Sequence, residues 1–398
     1  MKDVVIVDGV RTAIGRMGGS LSGFRAEELA AIVLKGLLEK TKLDPSLIDD
    51  VYFGAAINHG QAVNLARWAV LKAGLPHSVP GMGAERQCGS GLQTVCLAAQ
   101  AIMSDHADII VAGGVESYST IPFLLSRYTE PRPFSLQPPR FLSLETGPDK
   151  DTQFVMGITA ENLAQRYGIK REEQDRFGLR SQVRALKAIA DGKFKEEIIP
   201  VVVPQKKGEP IVFDTDEHPR ETSLEKLAAL PPAFKKDGTV TAGSSSGLND
   251  GAAALLVMSA DRARKLGLKP IGRYIASAVV GVDPAIMGIG PAFAVPKALQ
   301  RSGLAWKDIA LVECNEAFAA QTLAVIKELA RQGYEVADDN LNPNGGAIAL
   351  GHPNGMSGSR LALTLLRELR RRKQRYGVAT LCIGGGQGIA AVFEALYD

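Results

Sequence analysis

"GSGLQTVCLAAQAI" (residues 89–102), followed after a short polar break by "ADIIVAGGVES" (107–117), reads as a helix leading into a strand. Leu92, Val95, Cys96, Ala99, Ile102 and Met103 recur at the spacing of one helix face. The second stretch is a near-continuous apolar run ending in glycines, as in a strand covered on both sides. The pair recurs near the other end of the chain: "GSRLALTLLRELR" (358–370) matches the helix and "VATLCIGGGQG" (378–388) the strand. Upstream, "LDPSLIDDVYFG" (43–54) matches "LAWKDIALVECN" (304–315). All three pairs share an offset of about 260 to 270 residues, the sign of an internal duplication. Further out, "VVIV" (4–7), "AEELAAIVLKGLLEK" (26–40) and "DDVYFGAAI" (49–57) alternate strand, helix and strand, which indicates mixed α/β layers. Two similar lobes would then bracket an unrepeated middle, 118–248. That middle holds the Pro-rich "TEPRPFSLQPPRF" (129–141) and a charged helix over 170–190. Insertions on a rigid frame commonly carry substrate contacts.

Composition narrows the function classes. The chain has 398 residues, 45% of them apolar, and a net charge of only +3. There is no long basic run with interleaved aromatics, so a nucleic-acid partner is not expected. "RELRRRKQR" (367–375) reads as the solvated end of a helix. No apolar stretch approaches the roughly 18 residues of a membrane span, and none near residue 1 suits a signal peptide. A soluble, cytoplasmic protein is expected. Its four cysteines contain no CxxC pair, so neither a zinc site nor a structural disulfide is expected.

The chemistry concentrates in four stretches. Cys88, in "QCGSGL" (87–92), precedes two glycines and the start of a helix. Helix N-termini favour a thiolate, and glycines allow a ligand to approach closely. A nucleophile is the functional reading, and a small buried side chain before a turn is the bland one. Cys96 falls on the apolar face and reads as core. Of five histidines, His59, His77, His106 and His218 sit in ordinary polar or turn contexts and read as surface. His352 is different. It lies in the Gly-rich "NPNGGAIALGHPNGMSGSR" (342–360), before a helix expected at about 357–372. "VATLCIGGGQG" ends a buried strand at Cys382. "GQGIAA" (386–391) fits a dinucleotide pattern, but the chain ends at Asp398, which leaves no expected helix, second strand or acidic ribose partner. Cys382 then reads as a second active thiol, with glycine N–H groups beside it for an oxyanion, or as a core thiol at a strand end. "ECNEAFAAQ" (313–321) puts Asn315 and Glu316 where a strand becomes a helix, where asparagine also serves as an ordinary cap. "TAGSSSGLNDGAA" (241–253) is a small-residue loop, either a hinge or a backbone surface for a narrow ligand. A cysteine with a histidine suffices for acyl transfer. A second thiol suits proton transfer at a carbon beside a carbonyl. Carbon–carbon bond formation by Claisen condensation uses both.

Over nearly its whole length the chain resembles the thiolase family of acetyl-CoA acetyltransferases and 3-ketoacyl-CoA thiolases. The resemblance is carried by "VIVDGVRTAIGR" (5–16), "QCGSGL" (87–92), "VAGGVES" (111–117), "MGITAEN" (156–162), "GTVTAGSSSGLNDGAAA" (238–254), "NEAFAAQ" (315–321), "NGGAIALGHP" (344–353) and "CIGGGQG" (382–388). It implies the thiolase fold: two duplicated lobes in five α/β/α/β/α layers with an inserted loop domain. The lobes would be 1–117 with 249–269, and 270–398, with 118–248 inserted. Cys88 would be the acylated nucleophile. His352 would activate it and donate to the thioester oxygen of the second substrate. Asn315 would hold a water completing that oxyanion hole. Cys382 would move the α-proton, and the N–H groups of Cys88 and Gly384 would form the second oxyanion hole. Ser246, Ala242 and Gly243 would line the pantetheine tunnel. Leu230, Phe234, Met287, Ala317 and Phe318 would lie along coenzyme A or the acyl pocket, with Arg220 at the nucleotide end. Coenzyme A and acyl-CoA would be substrates, with no tightly bound cofactor and no metal.

The chain departs from the family pattern in two places. Short-chain biosynthetic members usually carry a histidine where Val155 stands, and the loop 119–150 lacks their usual pattern. Both favour a longer acyl site over acetoacetyl-CoA alone, and a homodimer over a homotetramer. A ketosynthase of the same superfamily is disfavoured by Cys382 and the few histidines. A non-catalytic acyl-CoA-binding paralogue is disfavoured by the retention of all four catalytic positions.

Overall fold

The chain was described from a computed structural model covering residues 2–57, 59–60, 62–125, 141–142, 145 and 147–397. The Pro-rich stretch 129–141 falls almost wholly outside these residues. The first apolar run forms β1 (Val4–Arg11), followed by α1 (Ala26–Thr41), β2 (Asp50–Gly54), α2 (Leu65–Lys72), β3 (Met82–Ala84), α3 (Ser90–Met103) and β4 (Ile109–Ser117). The middle segment contributes α4 (Met156–Tyr167) and α5 (Arg171–Ala190) before β5 (Asn249–Ser259). The second half runs β6 (Gly272–Gly281), α6 (Gly290–Ser302), β7 (Ile309–Cys314), α7 (Ala319–Arg331), α8 (Asn354–Arg371), β8 (Tyr376–Ile383) and β9 (Gln387–Ala395).

The duplication is visible in the pairing. In the first half β1 pairs antiparallel with β5, β5 antiparallel with β4, and β4 parallel with β2. In the second, β6 pairs antiparallel with β9, β9 antiparallel with β8, and β8 parallel with β7. The two half-sheets meet where Val5 faces Arg273 and Ile6 faces Gly272. β9 corrects one sequence expectation. The glycines after Cys382 do not end the fold but make a hairpin turn, with Gly385 and Gly386 at φ of 79° and 86°. A second strand follows directly, antiparallel, so the run is still no βαβ nucleotide turn.

Five layers result. α1 and α2 cover the outer face of the first half-sheet in one apolar cluster. α6 and α7 cover the second in another, joined by Ala160, Leu163 and Phe177 of α4 and α5. Between the sheets lie α3 and α8, whose apolar faces share a cluster with both. Expected boundaries hold to within a few residues: α3 begins at Ser90, and α8 starts at Asn354, earlier than expected because Pro353 can stand just outside a helix. The central helices approach closely through glycines. A Cβ on Gly91 would stand 2.4 Å from the Gly355 oxygen, and one on Gly358 would stand 2.2 Å from Leu92 N. This contact matters for function, because α3 follows Cys88 and α8 follows His352.

The middle segment is tied down by buried charge. Arg11, at the end of β1, donates from Nε to Glu197 at 2.8 Å and from its two terminal nitrogens to Asp216 at 2.7 and 2.9 Å. Burial opposes the charge, but the two carboxylates outweigh it and hold the guanidinium ionised. The basic run 367–375 is only partly a solvated helix end. Arg367 is half-buried, with Glu196 3.8 Å away, and Arg372 donates to Glu368 at 2.8 Å. No helix among the described residues is long and apolar enough to cross a membrane.

Candidate active site

Cys88 sits in a 3-10 turn, Gln87–Gly89, that runs straight into α3. The residue before it, Gln87, has φ of 42°, a left-handed conformation rare for a side-chain-bearing residue. Gly89 lets this turn press against β8, since a Cβ there would lie 2.7 Å from Ile383 Cδ1. The nucleophile turn and the strand carrying Cys382 are thereby neighbours. The backbone N–H of Gly384 is close enough to the Cys88 sulfur to favour its thiolate form.

The sequence predicted a thiol made acidic by the helix end. The structure corrects this. Burial pushes the Cys88 thiol up to about 11, and the Glu116 carboxylate adds to that; the Gly384 and Cys88 N–H groups pull the other way and lose. Cys382 is fully buried and raised further, by burial first and then by the charges of Cys88 and Cys314. At rest Cys88 is therefore a thiol, and to act as a nucleophile it would need a base.

His352 is the candidate base. It is buried, and burial first and Arg360 second push it down to about 3, so the ring is neutral. Its backbone N–H donates to Asn249 Oδ1 at 3.0 Å. Nδ1 lies 2.6 Å from Ser357 Oγ, which in turn lies 3.0 Å from the Pro353 carbonyl. Nε2 lies 3.2 Å from Asn315 Nδ2. Asn315 Nδ2 can only donate, so Nε2 holds a lone pair, the proton is on Nδ1, and Ser357 accepts it while donating to Pro353. If the hydroxyl turns to Nδ1, the ring can carry its proton on Nε2 instead. One imidazole can thus serve as base and as hydrogen-bond donor.

Asn315 ends β7 with its N–H on the Thr380 carbonyl at 3.0 Å, two residues before Cys382 in β8. Its Oδ1 is buried without a hydrogen-bond partner among the described residues. Beside it Glu316 fixes the loop leading to His352. Ser181 Oγ donates to it at 2.6 Å, Asn342 Nδ2 at 2.8 Å, and Ile348 N at 3.4 Å. The first half contributes Glu116, which accepts from Ala56 N and Gly355 N, both at 2.9 Å, and contacts His59 Nε2 at 2.7 Å. His59 is thus buried, contrary to the surface expectation, because a carboxylate 57 residues away pairs with it. His218 is half-buried beside Asn249 and lowered to about 4, by burial and then by Arg220 and Arg16. His77 and His106 are exposed, and Cys96 is core, as expected.

The residues expected along coenzyme A fall mostly into one neighbourhood. Ser246 N donates to Ala317 O at 3.0 Å, and Ala319 N donates to Ser244 O at 2.8 Å, so the loop 241–248 runs beside Ala317 and Phe318. The Phe234 and Phe318 rings stack edge to face with centroids 5.8 Å apart, and Gly157 leaves room for Phe234. A Cβ on Gly243 would stand 2.8 Å from Leu230. Ala242 and Arg220 are exposed, and Met287 is buried in the second-half core with Ala317 and Phe318. Asn249, Glu116 and Ser357 are supporting residues that sequence reasoning did not single out. Each lies inside a quoted stretch; the partners of Asn249 and Glu116 are distant in the chain, whereas Ser357 meets His352 from five residues away.

A thiol beside the Gly384 N–H, a second thiol two residues before that glycine, and a neutral imidazole beside an amide are the kinds of group that acyl transfer with a second proton transfer uses. Over residues 4–261 the chain matches the N-terminal domain of thiolase, and over 268–395 the C-terminal domain. The chain belongs to the thiolase family. It is an acyltransferase with the thiolase fold. It is 51% identical over 392 residues to the acetyl-CoA acetyltransferase of Pseudomonas aeruginosa, covering 98% of each chain. The acetyl-CoA acetyltransferase of Bacillus anthracis superposes with a TM-score of 0.93 at 44% identity, over 100% of this chain and 99% of that one. Human mitochondrial 3-ketoacyl-CoA thiolase, solved in complex with CoA, gives a TM-score of 0.92 at 40% identity, over 100% and 98%.

Proposed function

We propose that this thiolase forms and cleaves 3-ketoacyl-CoA through an acyl-enzyme on Cys88 and accepts chains longer than four carbons. The observation that carries the assignment of roles is the Gly384 N–H beside the Cys88 sulfur, with Cys382 on the same strand and turn. In the first half-reaction the Cys88 proton passes to His352 Nε2 as sulfur attacks the acyl-CoA carbonyl. The Cys88 and Gly384 N–H groups hold the oxyanion, and the leaving coenzyme A thiolate takes the proton. In the second, Cys382 passes its proton to His352 Nε2, and the thiolate so formed removes the α-proton of a new acyl-CoA. His352, carrying that proton on Nε2, and Asn315 stabilise the enolate oxygen. The enolate carbon attacks the acyl group, and Cys88 leaves as thiolate and takes the proton from His352, which restores both thiols and the neutral ring. Thiolysis is the reverse. Coenzyme A and its thioesters enter as substrates, along the loop 241–248 and the Phe234–Phe318 pair, with no tightly bound cofactor.

The longer-chain reading rests on Val155. It precedes Met156 at the start of α4, and Met156 Sδ would lie 3.8 Å from a Cβ on Gly384. Val155 is 64% exposed, so it forms part of the rim rather than the floor. A valine offers an apolar wall in place of an imidazole. Each methylene buried there contributes about 0.8 kcal/mol, and two amount to roughly tenfold in binding. A coupled thiolysis assay across a chain-length series should show kcat/KM for longer substrates at least equal to that for acetoacetyl-CoA, with Val155→His lowering the former selectively. A steep fall beyond four carbons in both proteins would remove Val155 from the selection of chain length.

We also propose a homodimer. Among the described residues β3 is the outermost strand of its half-sheet, paired on one side only, with β2. It borders a groove of about 600 Å³ with the fully exposed Val63 and with Met82. Such an edge invites pairing. Light scattering should read the mass of two chains, and a monomer would overturn the proposal.

A further inference from the structure

A buried ion pair lies behind the imidazole, and none of the steps above uses it. Arg360 projects from α8, about two turns after His352, and Glu313 from β7, two residues before Asn315. Both side chains are 1% exposed, and they approach to 3.6 Å. That is too long for a good hydrogen bond. Both Glu313 oxygens and both terminal nitrogens of Arg360 lack hydrogen-bond partners among the described residues. As a stabilising contact such a pair is poor, since its desolvation offsets its attraction and apolar side chains would fill the space as well. Its position suggests another use. When His352 takes the Cys88 proton, the ring passes from neutral to cationic. Arg360 is the charged group that opposes this, and the positive end of α8 points the same way.

We propose that Glu313 is a positioning residue for acyl transfer, neutralising Arg360 so that His352 can become cationic when Cys88 attacks. The inference rests on Cys88 as the acyl acceptor. The charges around the pair are few. Arg360 faces Glu313 first, then Arg11, Glu197 and Asp216; the last three form the Arg11 network, whose two carboxylates outnumber its one guanidinium and leave one negative charge over. Glu313 faces Arg360, Glu316, Glu368 and Glu197. Burial drives the Glu313 carboxyl up to about 8; Arg360 works against this and the three glutamates work with it. Below that range Glu313 is neutral and Arg360 keeps only the weaker attraction of the Arg11 network. Above it the pair carries no net charge and the imidazolium forms more readily. Acylation therefore quickens as pH rises through the Glu313 titration.

The test is single-turnover acylation of Cys88 by acetyl-CoA, followed by peptide mass between about pH 6 and pH 10. In wild type the rate should climb along a limb near 8. Glu313→Gln should remove the limb and slow the reaction about tenfold or more at high pH, the equivalent of one pKa unit at His352. Arg360→Met should remove the limb without that loss. Glu313→Gln with Arg360→Met should recover most of the rate. The double variant exchanges the pair for two uncharged groups, which guards against failure of a single variant to fold. A Glu313→Gln enzyme that keeps the wild-type limb, or a double variant no faster than Glu313→Gln, would overturn this inference alone. A wild-type enzyme acylated elsewhere would overturn the nucleophile assignment and the inference with it.

Discussion

Cys88→Ala should lose both half-reactions, by at least about 10⁴-fold in single-turnover acylation and in condensation, as when a member of a nucleophile unit is removed. The reason lies in what surrounds the sulfur. Cys382 is the other thiol at hand, but burial first, and then its neighbours Cys88 and Cys314, hold it protonated. The Gly384 N–H lies beside the Cys88 sulfur, so an acyl group carried by Cys382 would not present its oxygen to that donor. Brief incubation with acyl-CoA, acid quenching and peptide mapping should place the label on the Cys88 peptide of wild type and nowhere in the variant. A label on the Cys382 peptide would reverse the assignment. Loss of one small side chain from a turn should leave the melting temperature near that of wild type, so that the loss reads as chemistry.

The helices and strands of the duplicated lobes were legible because each is long and keeps one period. "GSGLQTVCLAAQAI" repeats its apolar positions every three or four residues and forms α3. "VATLCI" is apolar throughout and forms β8, buried between layers. Cys88, His352 and Cys382 were singled out for another reason: glycines crowd around them in the sequence, as they do where backbone must come close. The supporting groups left no such mark. Glu116 reads locally as the end of a strand, and only the fold brings it Gly355 N from 239 residues away. Glu313 and Arg360 read as ordinary charged positions, although both are buried. The Cys88 ionisation failed as a prediction on the same ground. A helix N-terminus can be read from sequence, but desolvation depends on everything else that packs around the thiol, and here desolvation is the larger effect.

Cys382→Ser should separate the two chemistries that the paired thiols divide. Acyl transfer onto Cys88 should remain within a few-fold of wild type, because that step uses His352 and the two N–H donors. Exchange of the α-protons of acetyl-CoA, and condensation with it, should fall by about 10²–10⁴-fold, the usual contribution of a positioned general base. A serine hydroxyl is a far weaker acid than a thiol and is seldom available as the anion that a carbon acid needs. Burial holds Cys382 protonated at rest, so it should act on a carbon acid only after its own proton has passed to the neutral His352 ring. Single-turnover acylation and deuterium exchange, measured side by side on wild type and Cys382→Ser, give both comparisons. Equal losses in the two reactions would mean that Cys382 supports the nucleophile rather than the carbon acid.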